Sequence, residues 1–103
     1  MVKEITELSE LTTALNENNV VVVDYWATWC GPCKRIAPFY EELNETYEDV
    51  CFLKVDVDEA EELAQSQEIQ CMPTFHVYKN KERVVIIKGA NKELLEEAIK
   101  KCL

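Results

Sequence analysis

The sequence has few of the residues that mark linkers, metal sites or polyanion-binding surfaces. Only 2 glycines and 3 prolines occur in 103 residues, with no Gly-, Ser- or Pro-rich stretch, so no linker is visible and residues 1–103 read as a single domain. A chain of this size buries roughly two-thirds of its unfolded surface on folding, enough for a core without staples. Histidine occurs once, as His76, which leaves the usual zinc sites short of ligands. Basic residues are outnumbered 11 to 20, and the net charge of −9 repels phosphate backbones and anionic membrane surfaces. Nucleic acid is thereby excluded as an expected partner. The longest apolar run is Val20-Val21-Val22-Val23, far short of the roughly 20 residues a membrane helix needs. The start, Met1-Val2-Lys3-Glu4-Ile5-Thr6-Glu7, lacks a basic stretch followed by an apolar run, and no secretory or transit signal is expected. Five cysteines are too few and odd in number for a disulfide scaffold. A reducing compartment, the cytoplasm, is the expected location.

What is present alternates between two periodicities. Leu8, Leu11, Ala14 and Leu15 recur at helical spacing until Asn16-Glu17-Asn18-Asn19 ends the pattern. Val20 to Trp26 is too uniformly apolar to be half-exposed and predicts a central strand covered on both faces. Cys33 to about Tyr47 carries a helical stripe of Ile36, Ala37, Tyr40, Leu43 and Tyr47, with a kink expected at Pro38. Cys51 to Val57 predicts a second buried strand. Asp58 and Glu61 resemble a capping box opening a short helix through Ala60, Leu63 and Ala64. Thr74 to Tyr78 and Val84 to Ile87 read as a strand pair around Lys79-Asn80-Lys81. Asn91 is placed to cap a last helix carrying Leu94, Leu95, Ala98 and Ile99. This order implies an α/β architecture with parallel central strands and an antiparallel edge.

The chemistry gathers at Trp29-Cys30-Gly31-Pro32-Cys33-Lys34, between the first central strand and the kinked helix. Cysteines three apart share one face of a helical turn, near enough for a disulfide if the turn is suitably shaped, and Gly31 with Pro32 supplies that shape. Cys30 falls at the helix N-terminus, where free N–H groups and the macrodipole favour a thiolate. Cys33 lies a turn deeper, so the pair divides into an attacking and a resolving thiol. A structural zinc site would want a second cysteine pair, whereas Cys51, Cys71 and Cys102 are isolated; a c-type haem would want His where Lys34 stands. Neither a metal site nor a c-type haem is therefore expected.

Beyond this motif, Val55-Asp56-Val57-Asp58, Cys71-Met72-Pro73-Thr74-Phe75 and Gly89-Ala90-Asn91-Lys92 make nearly the whole chain resemble the thioredoxin family, its cytosolic eukaryotic branch in particular. The resemblance implies the thioredoxin fold, a central mixed five-stranded sheet flanked by four helices. It implies a protein-disulfide reductase acting in cell redox homeostasis and electron transport, with no bound cofactor of its own, recycled by thioredoxin reductase and using NADPH only through that enzyme. Expected clients include peroxiredoxins, ribonucleotide reductase and methionine sulfoxide reductases. A redox-dependent binding module within a larger assembly is the alternative. An isomerase or oxidant is disfavoured, since such relatives usually carry another dipeptide between the cysteines.

In this reading Cys30 attacks, Cys33 resolves, and Gly31 and Pro32 tune the potential. Asp24 interrupts an apolar strand, so desolvation should raise its pKa toward neutrality. It is the candidate base for Cys33, although the pattern alone also allows a strand-end acid reaching solvent. Lys54 matches a family position that approaches this acid, or is a solvated strand-end lysine. An X-Pro bond is trans by default; the resemblance makes Pro73 cis, presenting the Met72 backbone to an extended substrate. Trp29 would cover the site, and Gly89 and Ala90 would leave room on the far rim, while Trp26 is expected in the core. Cys51 is expected to be an inert core thiol, and Cys102 a frayed terminal one. Cys71 is either an incidental exposed thiol or a regulatory one linking an otherwise monomeric protein into a dimer under oxidation. The hairpin lacks the family's glycine, so Asn80 is expected in the left-handed region. Val85 replaces a residue that is often small. Tyr25 to Tyr40 and Ile69 to Asn80 contain no acids, so the negative charge is expected around the redox surface rather than on it.

Overall fold

The computed structural model describes residues 1–103. Strands occupy Lys3–Glu4 (β1), Val20–Trp26 (β2), Val50–Asp56 (β3), Thr74–Lys79 (β4) and Glu82–Lys88 (β5). Helices occupy Leu8–Glu17 (α1), Gly31–Thr46 (α2), Glu61–Ser66 (α3) and Lys92–Lys101 (α4). The five strands form one sheet in the order β1-β3-β2-β4-β5. β3 pairs in parallel with β1 and β2, whereas β4 runs antiparallel to both β2 and β5. The sequence pattern misses only β1, whose two residues are too short to carry a period.

Parity along β2 divides the core. Val20 and Val22 join Ile36, Tyr40 and Leu43 of α2 and Leu95 and Ile99 of α4. Val21, Val23 and Tyr25 join Leu11 of α1 and Leu63 of α3 on the other face. The expectation of a strand covered on both sides is met, since Val20 through Tyr25 are all buried. Tyr40 locks α2 to the sheet: its hydroxyl donates to the Leu53 carbonyl at 2.7 Å and lies 3.1 Å from that of Val22. No helix is long and apolar enough to cross a membrane.

Several local expectations need correction. α2 begins at Gly31 rather than Cys33, so that Pro38 lies in its interior. The capping box belongs to α1, where Glu7 and Glu10 exchange side-chain and backbone bonds. Asp58 caps nothing; α3 starts after Ala60, and Asp56 Oδ1 instead accepts from the N–H groups of Asp58 and Glu59. Asn91 does cap α4, accepting from Leu94 N–H at 3.0 Å. Leu8 and Leu94, assigned above to core stripes, are 49% and 53% exposed. Cys102 is not frayed: it is buried in the α2/α4 core, and its carbonyl accepts from Lys79 Nζ. Asn80 and Lys81 both take positive φ, 51° and 73°, forming the two-residue turn whose twist suits a hairpin.

Candidate active site

The C-terminal end of β2 delivers the chain through Ala27, buried, into an exposed Thr28-Trp29 turn and then α2. Cys30 is the N-cap of α2, and its Sγ accepts the N–H of Cys33 at 3.1 Å. That N–H is one of the helix's unpaired donors, so the sulfur that would carry negative charge occupies the place where donors and the dipole favour it. Cys30 and Cys33 are joined in a disulfide with their Cα atoms 5.3 Å apart. Pro32 sits in the first turn, where its missing N–H costs no helical bond. Gly31 meets no steric demand for glycine, since an added Cβ would touch only Arg35 Nη1 at 3.5 Å. The two cysteines are 5% and 3% exposed, so exposure barely separates them. What separates them is surroundings: Cys30 receives the helix donor, while Cys33 faces inward toward an acid.

Strand parity explains that acid. Val20, Val22 and Asp24 point to the α2 face of β2, as Val50, Phe52 and Lys54 do on β3, and Asp24 stands in register with Lys54. Asp24, Cys33, Lys54 and Tyr40 therefore line one cavity of about 110 Å³ beneath the first turn of α2. Asp24 is 4% exposed, and its Oδ1 has no hydrogen-bond partner. Burial drives its pKa from 3.8 up to about 7, with the Lys54 ammonium opposing the rise. The solvated strand-end alternative fails for Asp24. Lys54 is half-buried, with its ammonium 5.5 Å from the centre of the Trp26 ring. Trp26, expected in the core, is only partly buried and packs against the Ala27, Cys30 and Cys33 cluster.

The rim is built from three loops. Trp29 is 66% exposed, and its Nε1 donates to Asp58 Oδ2 at 2.9 Å. This corrects the acid-free redox surface: Asp58 lies beyond both acid-free segments and is brought back against Trp29 by the β3–α3 turn. The Met72-Pro73 bond is cis. Pro73 is buried, Met72 is half-buried, and neither backbone polar group of Met72 bonds within the chain. Gly89, at φ 102°, occupies a conformation that favours glycine, and its N–H donates to the Pro73 carbonyl at 2.8 Å. Ala90 is exposed beside it. Cys71 is exposed, with its Sγ 3.6 Å from Thr74 Oγ1, and Cys51 is half-buried with its thiol pKa pushed up by burial. The loops thus bring Trp29, Met72, Pro73, Gly89 and Ala90 around the cysteine pair, leave Cys51 and Cys102 outside the site, and put Cys71 at its edge.

The thioredoxin family model matches residues 2–101. Thioredoxin 1 of Plasmodium falciparum is 50% identical over 101 residues, covering 98% of this chain and 97% of that protein. The thioredoxin of Ophiophagus hannah is 50% identical over 103 residues, covering 98% of both. Among solved structures, a Plasmodium falciparum thioredoxin superposes with TM-score 0.92 at 48% identity, covering 99% of this chain and all of that one (100%). A chain from the structure of thiol resolution in yeast mitochondrial 1-Cys peroxiredoxin via glutathione/thioredoxin systems gives TM-score 0.93 at 39% identity, covering 97% and 94%. With the disulfide of Cys30 and Cys33 at the start of α2 and a mixed five-stranded sheet beneath it, the chain belongs to the thioredoxin family of thiol–disulfide oxidoreductases.

Proposed function

We propose that the protein works as a reductase of protein disulfides, and the observation that carries this is the cavity joining Cys33 to a buried, near-neutral Asp24. In the reduced protein the Cys30 thiolate attacks one sulfur of a client disulfide. A mixed disulfide forms, and the other client sulfur leaves as a thiolate that takes up a proton. Cys33 then gives its proton to the Asp24 carboxylate and attacks Cys30 Sγ. The second client sulfur leaves, and the protein ends as the Cys30–Cys33 disulfide. Two electrons pass to the client. A resolving thiol shielded from water needs a nearby base whose pKa matches the working pH, and Asp24 at about 7 meets that need.

The free N–H and C=O of Met72 support pairing with an extended client segment, with Trp29 as an apolar cover and Gly89 and Ala90 on the opposite rim. The structure of thiol resolution involving a yeast 1-Cys peroxiredoxin supports peroxiredoxins as one client class. Thioredoxin reductase, drawing on NADPH, would return the disulfide to the dithiol, and three free thiols suit a reducing compartment such as the cytoplasm. The test is insulin-disulfide reduction coupled to thioredoxin reductase and NADPH. Wild type turns over, Cys30→Ser does not, and Cys33→Ser accumulates a mixed disulfide. Normal turnover by Cys30→Ser would overturn the reading, as would an inert wild type.

A further inference from the structure

The α1/α3 face of the sheet is closed over β2 and β3 but open over β5, where Val84 and Ile86 are 49% and 46% exposed. Between β5 and the C-terminal end of α3 lies a cavity of about 260 Å³. Strand pairing sets its floor. Thr74 stands opposite Lys88 and His76 opposite Ile86, and the irregularity after Val77 brings Arg83 opposite Tyr78 on the same face. Lys88 and Arg83 therefore flank His76 from either end.

Two features give this cavity a preference for an anion, and His76 forms its neutral floor. The chain's one ion pair joins Lys101 to Glu97, so neither Arg83 nor Lys88 is neutralised by a direct acidic partner. His76 is 2% exposed, lines the floor, and has a buried Nδ1 with no hydrogen-bond partner. Burial, reinforced by Arg83, pushes its pKa down to about 4, so the ring is a neutral hydrogen-bonding group at pH 7. Glu68, on the α3 side, is the only acid in the lining. In a chain of net charge −9 the cavity is a local reversal of sign.

Its position is equally informative. Thr74 follows Pro73, and Lys88 precedes Gly89, whose N–H is bonded to the Pro73 carbonyl. The cavity thus begins where the rim of the redox site ends. At about 3.3 Å per residue of strand, His76 lies roughly 10 Å from Pro73, about three residues of an extended peptide.

We propose that this cavity is a subsite for an acidic side chain of the disulfide-bearing client, carried about three residues from the attacked cysteine. The proposal rests on the disulfide-exchange reading of the site. The carboxylate lies on the β5 side, between Lys88 and Arg83 and away from Glu68, with its aliphatic stem against Ile86. Solvent-exposed ion pairs are individually weak, so the subsite adjusts client preference rather than deciding whether reduction occurs.

The experiment uses two disulfide-linked, fluorophore-quenched peptides that differ only by Glu or Gln three residues from the cysteine, made for each side of it. With one orientation, kcat/KM for the Glu peptide is expected to exceed that for the Gln peptide about fivefold at low salt, falling toward parity near about 0.5 M salt. Arg83→Gln with Lys88→Gln should abolish the preference without changing turnover of the Gln peptide or of a small aromatic disulfide. Glu68→Gln should enlarge the preference. A Glu/Gln ratio of one in both orientations overturns the subsite, and so does a preference that survives the double variant. Failure of wild type on both peptides and on the aromatic disulfide removes the disulfide-exchange reading itself, an outcome distinct from good turnover without preference.

Discussion

Asp24→Asn tests the most consequential feature of the site, because it removes a charge while keeping the shape of the side chain. Burial carries the carboxyl from 3.8 to about 7 against the pull of Lys54. At 1.36 kcal/mol per pH unit, ionising it in the folded protein costs ~4 kcal/mol more than ionising it in the unfolded chain. The folded state holds its proton more tightly, so the stability associated with protonated Asp24 is fully present below pH 3.8 and is lost as pH rises to about 7. Asparagine cannot ionise and loses nothing over this window. Urea unfolding of the oxidised protein, read at intervals from pH 4 to 8, should therefore show variant stability rising relative to wild type by ~4 kcal/mol. Taking the difference cancels the other acids, which titrate in both proteins. A difference flat to within about 0.5 kcal/mol across that range would refute the reasoning, because the carboxylate would then be solvated or fully compensated by Lys54. The same variant should slow resolution of the mixed disulfide at pH 7 by roughly 10²-fold, the usual lower value for losing a positioned base.

Lys54→Met removes the one charge opposing the rise, so the Asp24 titration followed by carboxyl NMR should move above about 7, and a midpoint moving down would contradict the register that pairs the two residues. Cys102→Ser puts a hydroxyl among core side chains and should cost about 1–2 kcal/mol in urea unfolding, whereas the exposed Cys71→Ser should stay within about 0.5 kcal/mol. Tyr40→Phe deletes the hydroxyl that ties α2 to the carbonyls of Leu53 and Val22 and should lower stability by about 1–2 kcal/mol; an unchanged unfolding midpoint would mean that these carbonyls lose nothing.

Four strands and four helices were legible because each carries its own period or a buried β-branched run. The clearest is Val20 to Trp26, where an apolar stretch broken only by Asp24 could only be central. The cysteine pair was legible because strand, turn residues and helix meet there, and Asp24 because a carboxylate inside that stretch is costly without a purpose. What was not legible is what the chain brings together from a distance. Asp58 carries the right local signal for a cap, yet Asp56 takes that role and Asp58 turns to the Trp29 indole. Cys102 follows the last helix, where fraying is the usual outcome, and only packing against α2 and the sheet buries it. The cavity at His76 was not read, since it arises where α3 ends and leaves β5 uncovered. One signal was available: His76, Ile86 and Lys88 fall on one parity across the predicted hairpin.

The ~4 kcal/mol associated with Asp24 is large against the 5–15 kcal/mol that a domain of this kind has in total. Surface charge cannot offset it, because the chain has a single exposed ion pair and a net charge of −9. The compensation must come from burial, and the strand that holds Asp24 is buried on both faces from Val20 to Tyr25. The same burial removes water from around the carboxyl, which brings its pKa into the working range for the Cys33 thiol. With Asp24 as the base proposed for Cys33, opening the cavity to water would relieve the energetic cost and lose that base together. In the proposed mechanism stability and reactivity at this site are two readings of one desolvated carboxylate, and a variant that solvates Asp24 without removing it should gain stability at pH 8 while losing the resolving step.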